Sequence, residues 1–66
     1  MTLEEYRKLV LDAETKEPSI GLSINCGILA NKLETALWNS WCKVEAVRLA
    51  NRFRAIQEKA NATASS

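Results

Sequence analysis

The chain contains no histidine, and only two cysteines, two glycines and one proline among its 66 residues. Without histidine, a general acid or base that works near neutral pH would have to be a strongly shifted carboxylate, lysine or thiol. Two thiols cannot supply the four nitrogen or sulfur ligands of a closed structural zinc site. The composition therefore argues against an enzyme, and no catalytic, cofactor-binding or metal-ligating residue is expected.

Long apolar runs are also missing. The most apolar window is interrupted by Lys32 and Glu34 before it reaches the length of a membrane span. No basic segment followed by an apolar stretch opens the chain, so we expect no secretory leader. Two cysteines are too few for a disulfide framework. These absences predict a cytoplasmic protein with reduced thiols and no membrane contact.

Apolar residues, in contrast, are plentiful, at 47% of the chain. A domain of this length buries only ~60% of the surface that its unfolded form exposes. Small domains commonly compensate with disulfides, a metal or a second subunit. Since the first two are not expected, the sequence favours self-association as the route to stability.

The first helix signal is a capping box, in which Thr2 and Glu5 can each bond the backbone N–H of the other. Apolar residues then recur at three- and four-residue spacing on one face, namely Leu3, Tyr6, Leu9, Val10 and Ala13. Pro18 disfavours helical geometry at the residue before it. The pattern predicts a short helix from about residue 3 to 15, followed by a turn over residues 16–19.

The second half of the chain reads as one long helix. It has no glycine or proline after residue 27 and is rich in strong helix formers up to about residue 60. One apolar stripe follows its winding: Trp38, Cys42, Ala46, Leu49, Phe53, Ile56 and Ala60. A second stripe lies nearly opposite and stops near residue 47: Leu29, Leu33, Leu37, Trp41, Val44 and Val47. The first half of this helix is therefore apolar on two faces, and the second half on one.

Residues 20–28 leave an alternative open, because they also alternate apolar and small side chains as a strand does. We favour a helix, continuous or bent near residues 27–31, since no other strand-like run exists to pair with a lone strand. A strand here would resemble the opening of the ribbon-helix-helix repressors, dimers whose paired strands read DNA. The alternating side chains include no arginine or lysine, so that family is not assigned.

The predicted fold is all-α, with residues 1–60 as a single helical domain and residues 61–66 as a frayed polar tail. The short helix folds back antiparallel on the long one as a hairpin and covers only part of it. We therefore expect an exposed dimer or partner interface with five large apolar side chains: Trp38, Trp41, Leu49, Phe53 and Ile56. A second copy packed on this stripe would complete a twofold helical bundle.

The two cysteines both fall on apolar stripes, where an unpaired cysteine is typically a small buried hydrophobe. In one straight helix, Cys26 and Cys42 would be ~24 Å apart. A disulfide needs α-carbons within about 7 Å. We therefore predict that they do not bridge within one chain.

Charge is unevenly distributed along the sequence. Residues 1–34 sum to −2 and residues 35–66 to +3, giving a total of +1. The basic second half offers a candidate nucleic-acid contact through Arg48, Arg52, Arg54 and Lys59. Basic residues beside an apolar stripe are also ordinary solubilising groups.

Two functions are therefore carried forward. The leading hypothesis is a non-catalytic helical interaction or regulatory module that acts as a homodimer and engages a protein partner. The small size and the amphipathic helices are compatible with an accessory protein of a phage or plasmid. The alternative is a small dimeric nucleic-acid-binding regulator that uses the basic C-terminal helix.

Overall fold

Three α-helices make up the computed structural model, which describes residues 2–65. Helix α1 spans Leu3–Thr15, α2 spans Ile20–Leu37 and α3 spans Lys43–Ser65. No strand occurs within the described range. The all-α prediction is therefore confirmed, and so is the preference for helix over strand at residues 20–28.

The start of α1 follows the predicted capping box. The Thr2 hydroxyl accepts a hydrogen bond from the Glu5 N–H at 3.3 Å, and the Glu5 carboxylate accepts one from the Thr2 N–H at 3.4 Å. The helix ends at Thr15, and extended backbone at Lys16 leads into the segment that contains Pro18. Both predicted boundaries of α1 are confirmed.

Helix α2 begins with a second N-cap, because the Ser19 hydroxyl accepts from the Leu22 N–H at 3.1 Å. The helix then continues through residues 27–31 without interruption. Of the two forms left open for this segment, the helix without a break at residues 27–31 is the one observed.

The prediction of one long helix up to residue 60 is wrong, because residues 38–42 form turns between α2 and α3. Ser40 provides the physical reason. Its N–H and hydroxyl both donate to the Leu37 carbonyl, at 3.1 and 2.9 Å, and its hydroxyl accepts from the Cys42 N–H at 3.3 Å. Serine and asparagine side chains compete in this way with the helical hydrogen-bond pattern.

The predicted helix end near residue 60 is also wrong, since α3 continues to Ser65. Asn61 accepts a hydrogen bond from the Ser23 hydroxyl of α2 at 2.5 Å. Ala60, one residue earlier, is buried. Asn61, the first residue of the predicted tail, is therefore helical and contacts α2, while Ser66 lies outside the described residues.

Helices α2 and α3 run in opposite directions. Ser23 near the start of α2 contacts Asn61 near the end of α3, and Glu34 further along α2 pairs with Arg54 earlier in α3. Helix α1 runs parallel to α3, because Arg7 pairs with Glu45 and Glu14 pairs with Arg52. The molecule is thus a three-helix bundle in which each helix contacts both others.

The core lies where the three helices meet. Its buried members are Tyr6, Val10, Ala13, Cys26, Ala30, Leu33, Ala46, Leu49, Ala50 and Phe53. Several of the α2 and α3 members are alanine or cysteine, and small side chains allow two helices to approach closely. The most extensive packing is accordingly between α2 and α3.

We expect Leu33→Ala to lower the free energy of unfolding by about 2–5 kcal/mol, because Leu33 is fully buried and its truncation leaves a cavity. Leu11→Ala removes the same atoms from an exposed position on α1 and should cost far less. Urea denaturation followed by circular dichroism measures both. Equal losses for the two variants would contradict the packing described here.

The two glycines of α2 give a second, paired prediction. A Cβ at Gly21 would meet little but the Ser19 hydroxyl at 3.9 Å, whereas one at Gly27 would lie 2.7 Å from Gln57 Nε2. Gly21→Ala should therefore stabilise the protein by about 0.5–1 kcal/mol. Gly27→Ala should gain less, because Gln57 must move. Thermal unfolding of both variants measures the two changes in stability. A larger increase in stability for Gly27→Ala than for Gly21→Ala would contradict this packing.

Candidate functional site

The outer face of α2 carries an exposed apolar ridge. Ile20, Ile24 and Ile28 recur every four residues, and Trp38, at the helical C-cap, falls in line with them within about a quarter of a turn. Their exposed fractions lie between 49% and 58%. We call these four residues the isoleucine face.

The inner face of α2 is apolar as well, with Cys26, Ala30 and Leu33 buried against the other helices. A helix that is apolar on both faces is usually covered on both. Here α1 and α3 cover the inner face, and the isoleucine face remains open to solvent. It is the main candidate for an interaction surface.

The turn between α2 and α3 extends this apolar surface at one end of the bundle. Trp41 is 93% exposed, and Val44, on the first turn of α3, is also exposed. The Lys43 ammonium lies 3.9 Å from the centre of the Trp38 ring, a cation–π contact that holds the indole at the surface. Exposed tryptophan is unusual on a monomer and is enriched at the centres of protein interfaces.

The five residues predicted for a dimer or partner interface separate into two groups. Trp38 and Trp41 are exposed, as that role requires, but Leu49 and Phe53 are buried and Ile56 is partly buried against the core. The expectation that a single chain leaves Leu49 and Phe53 exposed is wrong. The break after Leu37 lets α2 fold back and cover the stripe that a second copy was expected to cover.

Sequence reasoning missed Ile20, Ile24 and Ile28 as exposed residues. It expected the exposed apolar surface to include Leu49, Phe53 and Ile56 on the second half of the chain instead. The four-residue spacing of the three isoleucines was the available signal. The turn at residues 38–42 decides which apolar side chains stay exposed, and it contains no glycine or proline that would reveal it in the sequence.

The four basic residues of α3 do not form one patch. Arg52 pairs with Glu14 of α1 at 2.5 Å, whereas Arg54 pairs with Glu34 of α2 on the other flank of the helix. Arg48 and Lys59 make no ion pair with any residue that the structure describes. Two of the four charges thus connect helices within the chain, and Arg52 and Lys59 line the same cleft.

Cys26 and Cys42 are both buried and unbridged. Burial raises the pKa of the Cys26 thiol, and the positive charge of Lys16 offsets part of that effect. Sγ of Cys42 lies 3.1 Å from the Ser40 hydroxyl oxygen in the turn that ends α2. Both side chains therefore belong to the packed interior, as predicted for small hydrophobes.

Residues 2–65 contain neither a cluster of metal ligands nor a helix suited to a membrane span. No group of three or more histidine, cysteine, aspartate or glutamate side chains in residues 2–65 is placed to hold a metal ion. Within the same range, no helix combines the length and apolar character that a membrane crossing requires.

Comparison with known proteins gives no relative to guide the interpretation. No protein-family model, curated protein or solved structure matches the chain. The function must therefore be inferred from the surface of the molecule and its chemistry alone.

The buried thiol predicts slow alkylation. Because only the thiolate reacts and burial raises the Cys26 pKa, iodoacetamide should modify Cys26 at least tenfold more slowly in the folded protein than in urea at the same pH. Peptide mapping by mass spectrometry measures the rate at each cysteine.

The raised pKa of Cys26 also makes the stability of the fold depend on pH. The folded state holds the Cys26 proton more tightly than the unfolded state does. The resulting contribution to the free energy of unfolding is complete below the pKa of the unfolded thiol and declines as the pH rises through the pKa of the folded one. Alkylation of Cys26 at equal rates in buffer and in urea would contradict the burial of the thiol and the raised pKa that follows from it.

Proposed function

We propose that this chain is a non-catalytic helical interaction module that acts as a homodimer through the isoleucine face. The observation that carries the proposal is the exposed row of Ile20, Ile24 and Ile28, continued by Trp38, on a helix whose other side is already buried. Contiguous exposed apolar surface of this kind marks interaction sites on soluble proteins.

A second copy suits this face for a geometric reason. If two α2 helices pack antiparallel about a point near Leu29, Ile20 of one subunit lies opposite Trp38 of its partner, and the contact is repeated by the twofold axis. Glu17, just before α2, then comes near the partner's Lys43, just after it. These are opposite charges, so the ends of the paired helices are complementary.

The expected size of the interface adds a requirement. A standard interface buries ~800 Å² per subunit, more than four half-exposed side chains supply. The proposed contact therefore includes Trp41 and Val44, which extend the same end of the surface. Tryptophan at an interface is a typical centre of binding energy.

Nucleic-acid binding through Arg48, Arg52, Arg54 and Lys59 is the weaker proposal. Two of these side chains pair with glutamates of other helices, and they leave α3 on different flanks. Affinity for duplex DNA depends on several phosphates being contacted together. A divided set of charges supports that less well than one continuous patch.

Sedimentation equilibrium at high micromolar concentration tests the homodimer. We expect a mass twice the 7.4 kDa of one chain, and we expect Ile24→Glu to shift the equilibrium at least tenfold toward monomer by placing a charge in the apolar contact. Leu11→Glu is the matched control, since Leu11 is similarly exposed on α1 outside the isoleucine face.

Circular dichroism should show native helix content in both variants, because both sites are exposed. A wild-type protein that stays monomeric would overturn the homodimer, and equal weakening by both variants would overturn the assignment to the isoleucine face. Retention on random duplex DNA that falls steeply with salt would favour the nucleic-acid alternative instead.

A further inference from the structure

A cleft on another side of the bundle has features of a ligand site. It lies between the end of α1, the connecting segment and first turn of α2, and the middle turns of α3, with a volume of about 270 Å³. Its lining residues are Ala13, Glu14, Lys16, Pro18, Leu22, Arg52, Ala55, Ile56 and Lys59. We call it the basic-rimmed cleft.

The floor of the cleft is apolar. Leu22 and Ile56 are partly buried there and pack against the core, and Ala13 is buried beside them. Pro18 and Ala55 complete the apolar lining. Such a surface can pack against a short aliphatic chain. Binding would remove the apolar surfaces of the cleft and of the chain from water, which is favourable.

The rim carries three cations and one carboxylate. Arg52 is occupied by Glu14, through Nε at 3.3 Å and Nη2 at 2.5 Å, and these two charges offset each other. The Lys16 ammonium is 3.1 Å from the Asp12 carboxylate. Lys59 has no ion-pair partner among the described residues, so the rim has an uncompensated positive charge above an apolar floor.

We propose that the basic-rimmed cleft binds a small amphipathic anion, a carboxylate with a short aliphatic chain. The carboxylate is bound by Lys59 at the Arg52 side of the rim, and the chain lies over Leu22 and Ile56. The volume corresponds to roughly nine water-sized groups, at ~30 Å³ each. A chain of about six carbons with its carboxylate matches that size.

This site is independent of the proposed homodimer. Leu22 leaves α2 on a different side from the isoleucine face, so ligand binding does not require the dimer contact. Failure of one proposal therefore leaves the other standing.

Titration of ¹⁵N-labelled protein with sodium hexanoate, followed by amide chemical shifts, tests the proposal. We expect saturable shifts centred on Leu22, Ile56 and Lys59. Acetate lacks the chain, and hexylammonium reverses the charge, so each should bind at least fivefold more weakly. Hexanol binding as tightly as hexanoate would overturn the role of the charge.

Variants of α3 complete the test. Lys59→Gln should weaken hexanoate about fivefold, as expected for one partly exposed charge contact. Arg48→Gln removes the same charge from α3 outside the cleft and should leave the affinity unchanged. Ala55→Leu keeps a strong helix former and should abolish binding by filling the cleft. No saturable shift with hexanoate, or equal weakening by Lys59→Gln and Arg48→Gln, would overturn the site.

Discussion

The close packing of α2 against α3 is the constraint on which the rest of the molecule depends. Ala30 on α2 and Ala46 and Ala50 on α3 are buried, and their small side chains let the two backbones approach closely enough for Leu33 and Phe53 to fill the centre. That approach is available because the chain reverses at residues 38–42. Helix α1 then adds Tyr6, Val10 and Ala13 to a core that the other two helices define.

This arrangement leaves a row of exposed apolar side chains on the outer face of α2. Both halves of the chain contribute to the core, but α2 also carries isoleucines on the side that faces away from it. The charged groups are used differently: ion pairs connect α3 to α1 through Arg7 and Arg52, and to α2 through Arg54. Each such pair contributes little on its own at an exposed position. Their placement on two flanks of α3 favours the observed arrangement of the three helices.

The sequence predicted those features that depend on local chemistry. The capping box at Thr2 and the restriction before Pro18 act within a few residues, and both limits of α1 followed from them. The helix at residues 20–28 followed from the lack of a pairing strand. The turn at residues 38–42 did not follow, because Ser40 ends α2 through hydrogen bonds rather than through a glycine or proline. The exposed surface was therefore misplaced. Phe53 was expected to be exposed because α2 and α3 were expected to form one continuous helix, in which the inner face of α2 could not fold back and cover it.

The hydrogen bond between Ser23 and Asn61 has a consequence for how the helices are aligned. A surface of small side chains alone offers two helices several nearly equivalent positions along their axes. Ser23 is buried, and its hydroxyl donates to the Asn61 side chain at 2.5 Å. Sliding α3 by one turn would break this hydrogen bond between the two helices, at a cost of about 0.5–1.5 kcal/mol. One polar pair, at the ends of α2 and α3 that lie farthest from their connecting turn, thus favours a single axial register of the two helices.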